Sequence, residues 1–131
     1  FSPKVIWTSQ LNYQLDNNTS VDFISKYVGE QFIDNTSSED RMLNDYLVNH
    51  LRVSYEWESK IFKTSKVSLQ VNNLLNNEYV NNAWVYRFIS DGWDPSGSDH
   101  YVNADSERGY NMAAYFPQAT RNYLLGLTLG F

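Results

Sequence analysis

Along residues 4–15 the side chains alternate, with Val5, Trp7, Ser9, Leu11, Tyr13 and Leu15 on one side and Lys4, Ile6, Thr8, Gln10, Asn12 and Gln14 on the other. A period of two is the signature of a strand with one face in an apolar environment. The same alternation predicts strands over about 21–33, 46–58, 66–75 and 118–131. In the last of these Tyr123, Leu125, Leu127, Leu129 and Phe131 share a side, while Leu124, Gly126, Thr128 and Gly130 fall between them. The tract Asp16-Asn17-Asn18-Thr19-Ser20 is made of residues that bond their own backbone and tolerate left-handed φ, so it predicts a tight turn. Residues 34–45 are polar and acidic without a period and read as a longer loop. A short connection follows at 59–65. Residues 76–117 read as a very long loop, with Gly92, Pro95, Gly97 and Gly109 offering places to turn and Pro117 suited to a strand entry.

Charge sharpens this picture. Lys4, Asp22, Lys26, Glu30, Arg52, Glu56, Glu58 and Lys66 all lie on the side opposite the apolar one. Ile6, Ile24, Val28 and Phe32 share that polar side and fit it less well. Connections alternate short and long, as they do between the two rims of an outer-membrane barrel, whose strands are apolar outside and polar inside with aromatics at both interfaces. The expected fold is therefore all-β, an antiparallel up-and-down meander forming the last strands of a transmembrane β-barrel. In that arrangement 34–45 and 76–117 are extracellular loops and the short turns are periplasmic. No run approaches the roughly 18 apolar residues of a membrane helix. The opening Phe1-Ser2-Pro3-Lys4 starts in mid-pattern, so the chain is expected to continue something longer.

Composition narrows the chemistry. Of 131 residues 42% are hydrophobic and 16% aromatic, yet the mean hydropathy is −0.52, a pairing that suits half-buried strands. The formal net charge of −5 offers no basic face to a nucleic acid. Cysteine is absent, which removes disulfides and thiolate chemistry. His50 and His100 lie in different segments, and no nucleophile–base pattern, phosphate-cradling glycine loop or paired-histidine metal spacing occurs. Asp91, Asp94, Asp99 and Asp105 depart from the spacing of a calcium loop. No catalytic, metal or cofactor site is expected, and His50, Glu56 and Glu58 read as wall polars. Trp84, Tyr86, Phe88, Trp93, Tyr101, Tyr110, Tyr115 and Phe116 make the long loop unusually aromatic. Such density marks either loop packing or a contact surface; the contact candidates are Trp84, Tyr86, Trp93, His100 and Tyr101.

Asn73-Leu74-Leu75-Asn76-Asn77-Glu78-Tyr79, a long aromatic loop, and then Tyr115-Phe116-Pro117-Gln118-Ala119-Thr120-Arg121-Asn122-Tyr123 running to a terminal Phe together resemble TonB-dependent outer-membrane receptors, chiefly those of Bacteroidetes. Tyr27-Val28-Gly29-Glu30-Gln31-Phe32-Ile33-Asp34-Asn35-Thr36 is similar to the segment entering an outer loop in that group. The resemblance implies a cell outer-membrane protein whose barrel encloses an N-terminal plug, absent from this chain. It also implies TonB-relayed uptake of a scarce nutrient such as an iron chelate, haem, cobalamin or a glycan. Outer-membrane lipid, the barrel-assembly machinery, TonB acting through the missing part, and a surface lipoprotein are the implied partners. Tyr123, Gly126, Leu127, Leu129 and Phe131 are similar to the family's barrel-assembly signal, with Leu124 a departure where a polar residue is common. Two alternatives stand beside this reading, a passive porin and a soluble β-sandwich using Trp84 and Trp93 on carbohydrate.

Overall fold

The computed structural model describes residues 2–131. It is built of antiparallel strands, with no α-helix among the described residues. Chain contacts divide it into two units. One, the sheet unit, comprises Ile6–Val28, Leu47–Glu78 and Ala119–Phe131. Its strands are β1 (Ile6–Gln14), β2 (Thr19–Val28), β5 (Tyr46–Trp57), β6 (Thr64–Asn72) and β10 (Asn122–Gly130), in the order β1-β2-β5-β6-β10. The other, the ribbon unit, takes in residues 2–5, Gly29–Tyr46 and Tyr79–Gln118. It holds the two-stranded pair β3 (Gln31–Phe32) and β4 (Met42–Leu43), and a three-stranded sheet of β7 (Val80–Phe88), β8 (Val102–Ala104) and β9 (Tyr110–Pro117) in the order β7-β9-β8.

Local chemistry explains the turns and breaks. Between β1 and β2 the Asp16 carboxylate accepts the amides of Asn18 and Thr19, each at 2.8 Å. The alternation over 21–33 is interrupted at Gly29 and Glu30, where the Gly29 amide donates to the Val5 carbonyl at 2.9 Å. A Cβ at Gly29 would lie 3.3 Å from that carbonyl oxygen, so a side chain would crowd the bond. β6 stops where Asn73 takes a φ of +50°. Asn73 is buried, and its amide side chain donates to the carbonyls of Asn77 and Ala119 while accepting the Asn77 amide. Asn77 donates to the Leu47 carbonyl, and the Asn76 side chain accepts the Arg121 amide. The Asn73–Asn77 motif thus satisfies backbone groups that the end of the ladder leaves unpaired.

The stretch 76–117, read from sequence as a loop, carries three strands, and this is the main correction to the expected organisation. β7 and β9 are paired from Val80↔Pro117 to Phe88↔Tyr110, with a bulge between Val80 and Asn82, and β8 joins through Val102↔Met112. Both sides of β7 and β9 carry apolar residues, which hides the period of two. Ala83 and Val85 pack with Ile33, Leu43 and Val80 as the buried cluster of this unit. The tract 34–45, also read as a loop, is largely so, with a 3-10 turn at Glu39–Arg41 leading into β4.

Candidate functional site

Register fixes the two faces of the sheet unit. Leu51, Val71 and Tyr123 form one row across β5, β6 and β10; Val53, Leu69 and Leu125 form the next; Tyr55, Val67 and Leu127 the third. On the same face Leu11 pairs Phe23 and Trp7 pairs Tyr27 across β1 and β2. A folded water-soluble domain would bury such rows, but Leu125 is 73% exposed, Tyr123 66% and Leu127 64%. Of the assembly-signal candidates, Tyr123, Leu127 and Leu129 lie on this face. Gly126 points the other way, where a Cβ would meet the Ser68 hydroxyl at 2.8 Å. Phe131 follows β10 and sits edge-on to Phe62, with ring centres 5.2 Å apart.

The opposite face is polar and internally bonded. Asn12 donates to Asp22 at 2.7 Å, and Lys66 pairs with Glu56 at 3.0 Å. Arg52 donates to the Gln70 carbonyl oxygen through both Nε and an Nη; Gln70 donates to Asn72, and Asn72 to Asn122. This ladder crosses three strands and fixes the long side chains beside Leu124, which shares the register row of Arg52 and Gln70. Between its row and the Glu56–Lys66 row runs a row of small residues, Ser54, Ser68 and Gly126, which floors a cleft of about 210 Å3 bordered by Asp22, Arg52 and Lys66. His50 lies near the end of this face, its Nδ1 3.4 Å from the Asn73 amide.

In the ribbon unit one side of the three-stranded sheet is aromatic. Trp84, Tyr86 and Phe88 of β7 share that side with Tyr110, Met112 and Phe116 of β9. Phe88 stacks on both Tyr86 and Tyr110, at 6.0 and 5.8 Å between ring centres. Trp84, Tyr86 and Phe116 remain exposed. The five contact candidates therefore do not form one patch. Trp84 and Tyr86 share the aromatic side, whereas Tyr101, whose carbonyl accepts the Ala113 amide, takes the register position facing Ala113 on the other side. Trp93 and His100 belong to the connection between β7 and β8, exposed on either side of the 3-10 turn Pro95–Gly97. Two acidic residues of this segment are committed to local structure: Asp94 caps that turn by accepting the Ser96 amide, and Asp99 accepts the Tyr101 amide. No group of His, Cys, Asp and Glu among the described residues has a metal-holding arrangement.

Two buried charges, Arg41 and Asp105, escaped sequence reading. Arg41 is 1% exposed and donates to Asp34 at 2.8 Å, to Thr36 at 2.7 Å and to Asn111 at 3.2 Å, and lies 3.5 Å from Asp105. The Asp105 side chain, fully shielded, also takes Arg87 at 2.6 Å and the amides of Glu107 and Gly109. Burial pushes the Asp105 carboxyl up, but the Arg87 guanidinium and the Gly109 and Glu107 amides outweigh it and leave it below the ordinary carboxylate range. Asp34 behaves alike: burial opposes, and Thr36 and Arg41 prevail. The only signal in the sequence is a single arginine inside the acidic tract 34–45. The arrangement ties residues 34–41 to β7 and β9, and it presents no nucleophile with an adjacent base. Comparison with protein-family models, with curated proteins and with solved structures returned no match.

Proposed function

We propose that this chain forms part of the wall of an outer-membrane β-barrel, and that the barrel belongs to a TonB-dependent receptor importing a scarce nutrient. One observation carries the membrane half of the reading: three register-aligned apolar rows cross one face of the five-stranded sheet, exposed along β10 and half-buried to exposed on β5 and β6, while the other face is mostly polar and bonded to itself. Lipid is the solvent that such a face matches. A β-sandwich would cover these rows with a second sheet, and their exposure counts against it. The receptor half rests on the sequence resemblance and on the Asn73–Asn77 break at which the resembling motif sits. The wall works as a barrier and frame, and the aromatic side of the ribbon unit is its candidate contact surface.

The test uses the intact polypeptide. It should fractionate with the outer membrane, migrate as a heat-modifiable barrel, and give no steady conductance in a planar bilayer, because a plug closes the lumen. A steady open-pore current would replace the receptor by a porin. Recovery as a detergent-free soluble protein would remove both.

A further inference from the structure

We infer that the small cleft between residues 33–41 and β9 in the ribbon unit binds a neutral acetamido group. Its carbonyl accepts the free amide N–H of Asn111, its own N–H donates to Asp40, and its methyl lies on Val85 and Ala113. None of this depends on the membrane reading above, because every residue involved belongs to the ribbon unit. Register puts Val85, Asn111, Ala113 and Tyr115 on one side of the three-stranded sheet, opposite Trp84 and Tyr86. Ile33, Asp40 and Arg41 border the same cleft, which measures about 120 Å3. Small-molecule pockets begin at about 300 Å3, so this one admits a single functional group and leaves the rest of a ligand outside, beside the exposed Tyr115.

Asn111 supplies the sign that the cleft is incomplete. It is only 5% exposed. Arg41 can donate but not accept, so the Asn111 atom 3.2 Å from its Nη1 is the carbonyl oxygen. The amide nitrogen is thereby turned elsewhere, and no hydrogen bond among the described residues uses it. It is not sealed in: Ser65 Oγ is the unpartnered side-chain atom wholly shut away among the described residues. The Asn111 nitrogen therefore keeps an opening, and the cleft is the opening that Asn111 lines. A nearly buried donor without an acceptor costs free energy that a ligand carbonyl would recover.

Charge and shape choose the ligand class. Two guanidiniums, Arg41 and Arg87, stand here among four carboxylates, Asp34, Asp40, Asp105 and Glu107, so an anion is repelled. A cation offers Asn111 no acceptor and meets the Arg41 guanidinium in the wall. A neutral ligand with an acceptor and a donor side by side suits both Asn111 and Asp40, whose Oδ2 is taken by the amide and hydroxyl of Ser106 while Oδ1 is left for a ligand. A diol offers the same two functions but nothing to Ile33, Val85 and Ala113, the apolar part of the wall. The methyl of an acetamido group fills that part.

Acetamido groups are carried by N-acetylated sugars and by acetylated amino acids. N-acetylglucosamine and N-acetylglycinamide are therefore the probes, with glucose and acetate beside them, in saturation-transfer NMR on the intact polypeptide. The methyl of each amide should take the strongest saturation, and glucose and acetate should take none; the amide that binds more tightly names the source. Asn111→Asp keeps an oxygen for Arg41 but removes the donor, and should weaken binding by about tenfold, the worth of one hydrogen bond. Ala113→Leu fills the cleft and should abolish binding. Glu39→Gln, next to Asp40 but outside the cleft, should leave it unchanged. Should Asn111→Asp lower the urea midpoint of the ribbon unit, Ala113→Leu, which leaves every ion pair in place, decides alone. Glucose saturated as strongly as N-acetylglucosamine, or amide binding that survives Ala113→Leu, overturns the inference. Amide binding by a polypeptide that does not enter the outer membrane would sink the wall reading and leave this inference standing.

Discussion

Arg41 holds two carboxylates at once, one of them fully shielded, so its removal does more than delete a bond. Arg41→Met would leave Asp34 without its cation and the fully shielded Asp105 with Arg87 alone. Breaking one partner of a buried ionic group costs about 3 kcal/mol. Trp84 and Trp93 report on the ribbon unit, so with Trp7 and Trp57 replaced by Phe their fluorescence should show a lowered urea midpoint; an unchanged midpoint would make the network decorative. The faces of the sheet predict a second contrast. Arginine at Leu69 or Leu127 faces the proposed lipid and should cost about 2–4 kcal/mol in lipid refolding. At Gln70 or Thr128 it joins the polar face and should cost much less. Equal losses at the four sites would mean that the faces are assigned wrongly.

Strands were legible where their two sides differ in chemistry. β1, β5, β6 and β10 each set an apolar side against a polar or small one, and the stretches expected at 4–15, 46–58, 66–75 and 118–131 contain them as Ile6–Gln14, Tyr46–Trp57, most of Thr64–Asn72 and Asn122–Gly130. β7 and β9 were illegible for the opposite reason: Trp84, Tyr86 and Phe88 on one side meet Ala83 and Val85 on the other, so alternation carries no polarity contrast. The Arg41 network was illegible because its members are 34, 41, 87 and 105, and only the fold makes them neighbours. That network gives the elements of the ribbon unit a pH dependence of definite sign. The folded-state pKa values of Asp34 and Asp105 are depressed, so their contribution is complete above the unfolded value of about 3.9 and is lost as pH falls through the folded values. Amide exchange, corrected for its intrinsic pH dependence, should show residues 34–41 and 103–109 losing protection below about pH 4 while β5 and β6 keep theirs. Uniform loss in both units would refute a local origin.

At the scale of the molecule, β1 and β10 are the outer strands of the five-stranded sheet, and their free edges cannot lie in lipid unpaired. On the proposed wall reading, further strands would pair with both edges to complete the barrel. Truncating Phe131 removes the ring that meets Phe62 and, if the resemblance to an assembly signal holds, should reduce the surface level of the intact polypeptide; undiminished abundance would retire that role. The aromatic side of the ribbon invites deletion of 88–112, but the cut also takes Asp105 and Asn111, the partners of Arg41. Trp84→Ala with Tyr86→Ala is the cleaner test. On the proposed receptor reading it should weaken capture of a nutrient or a surface partner while heat-modifiability is kept, and unaltered capture would make this side passive cover. The Asn73–Asn77 motif has a consequence for how the molecule comes apart and how it can vary. By closing the β6–β10 ladder with its own side chains, it works as a selvedge, the finished margin that keeps a fabric from unravelling. Strands beyond it can melt, lengthen or be exchanged without unzipping those before it, so native-state exchange should resolve two cooperative units with separate opening energies. Insertions in the β7–β8 connection, residues 89–101, should then be far better tolerated than insertions of equal length within β6.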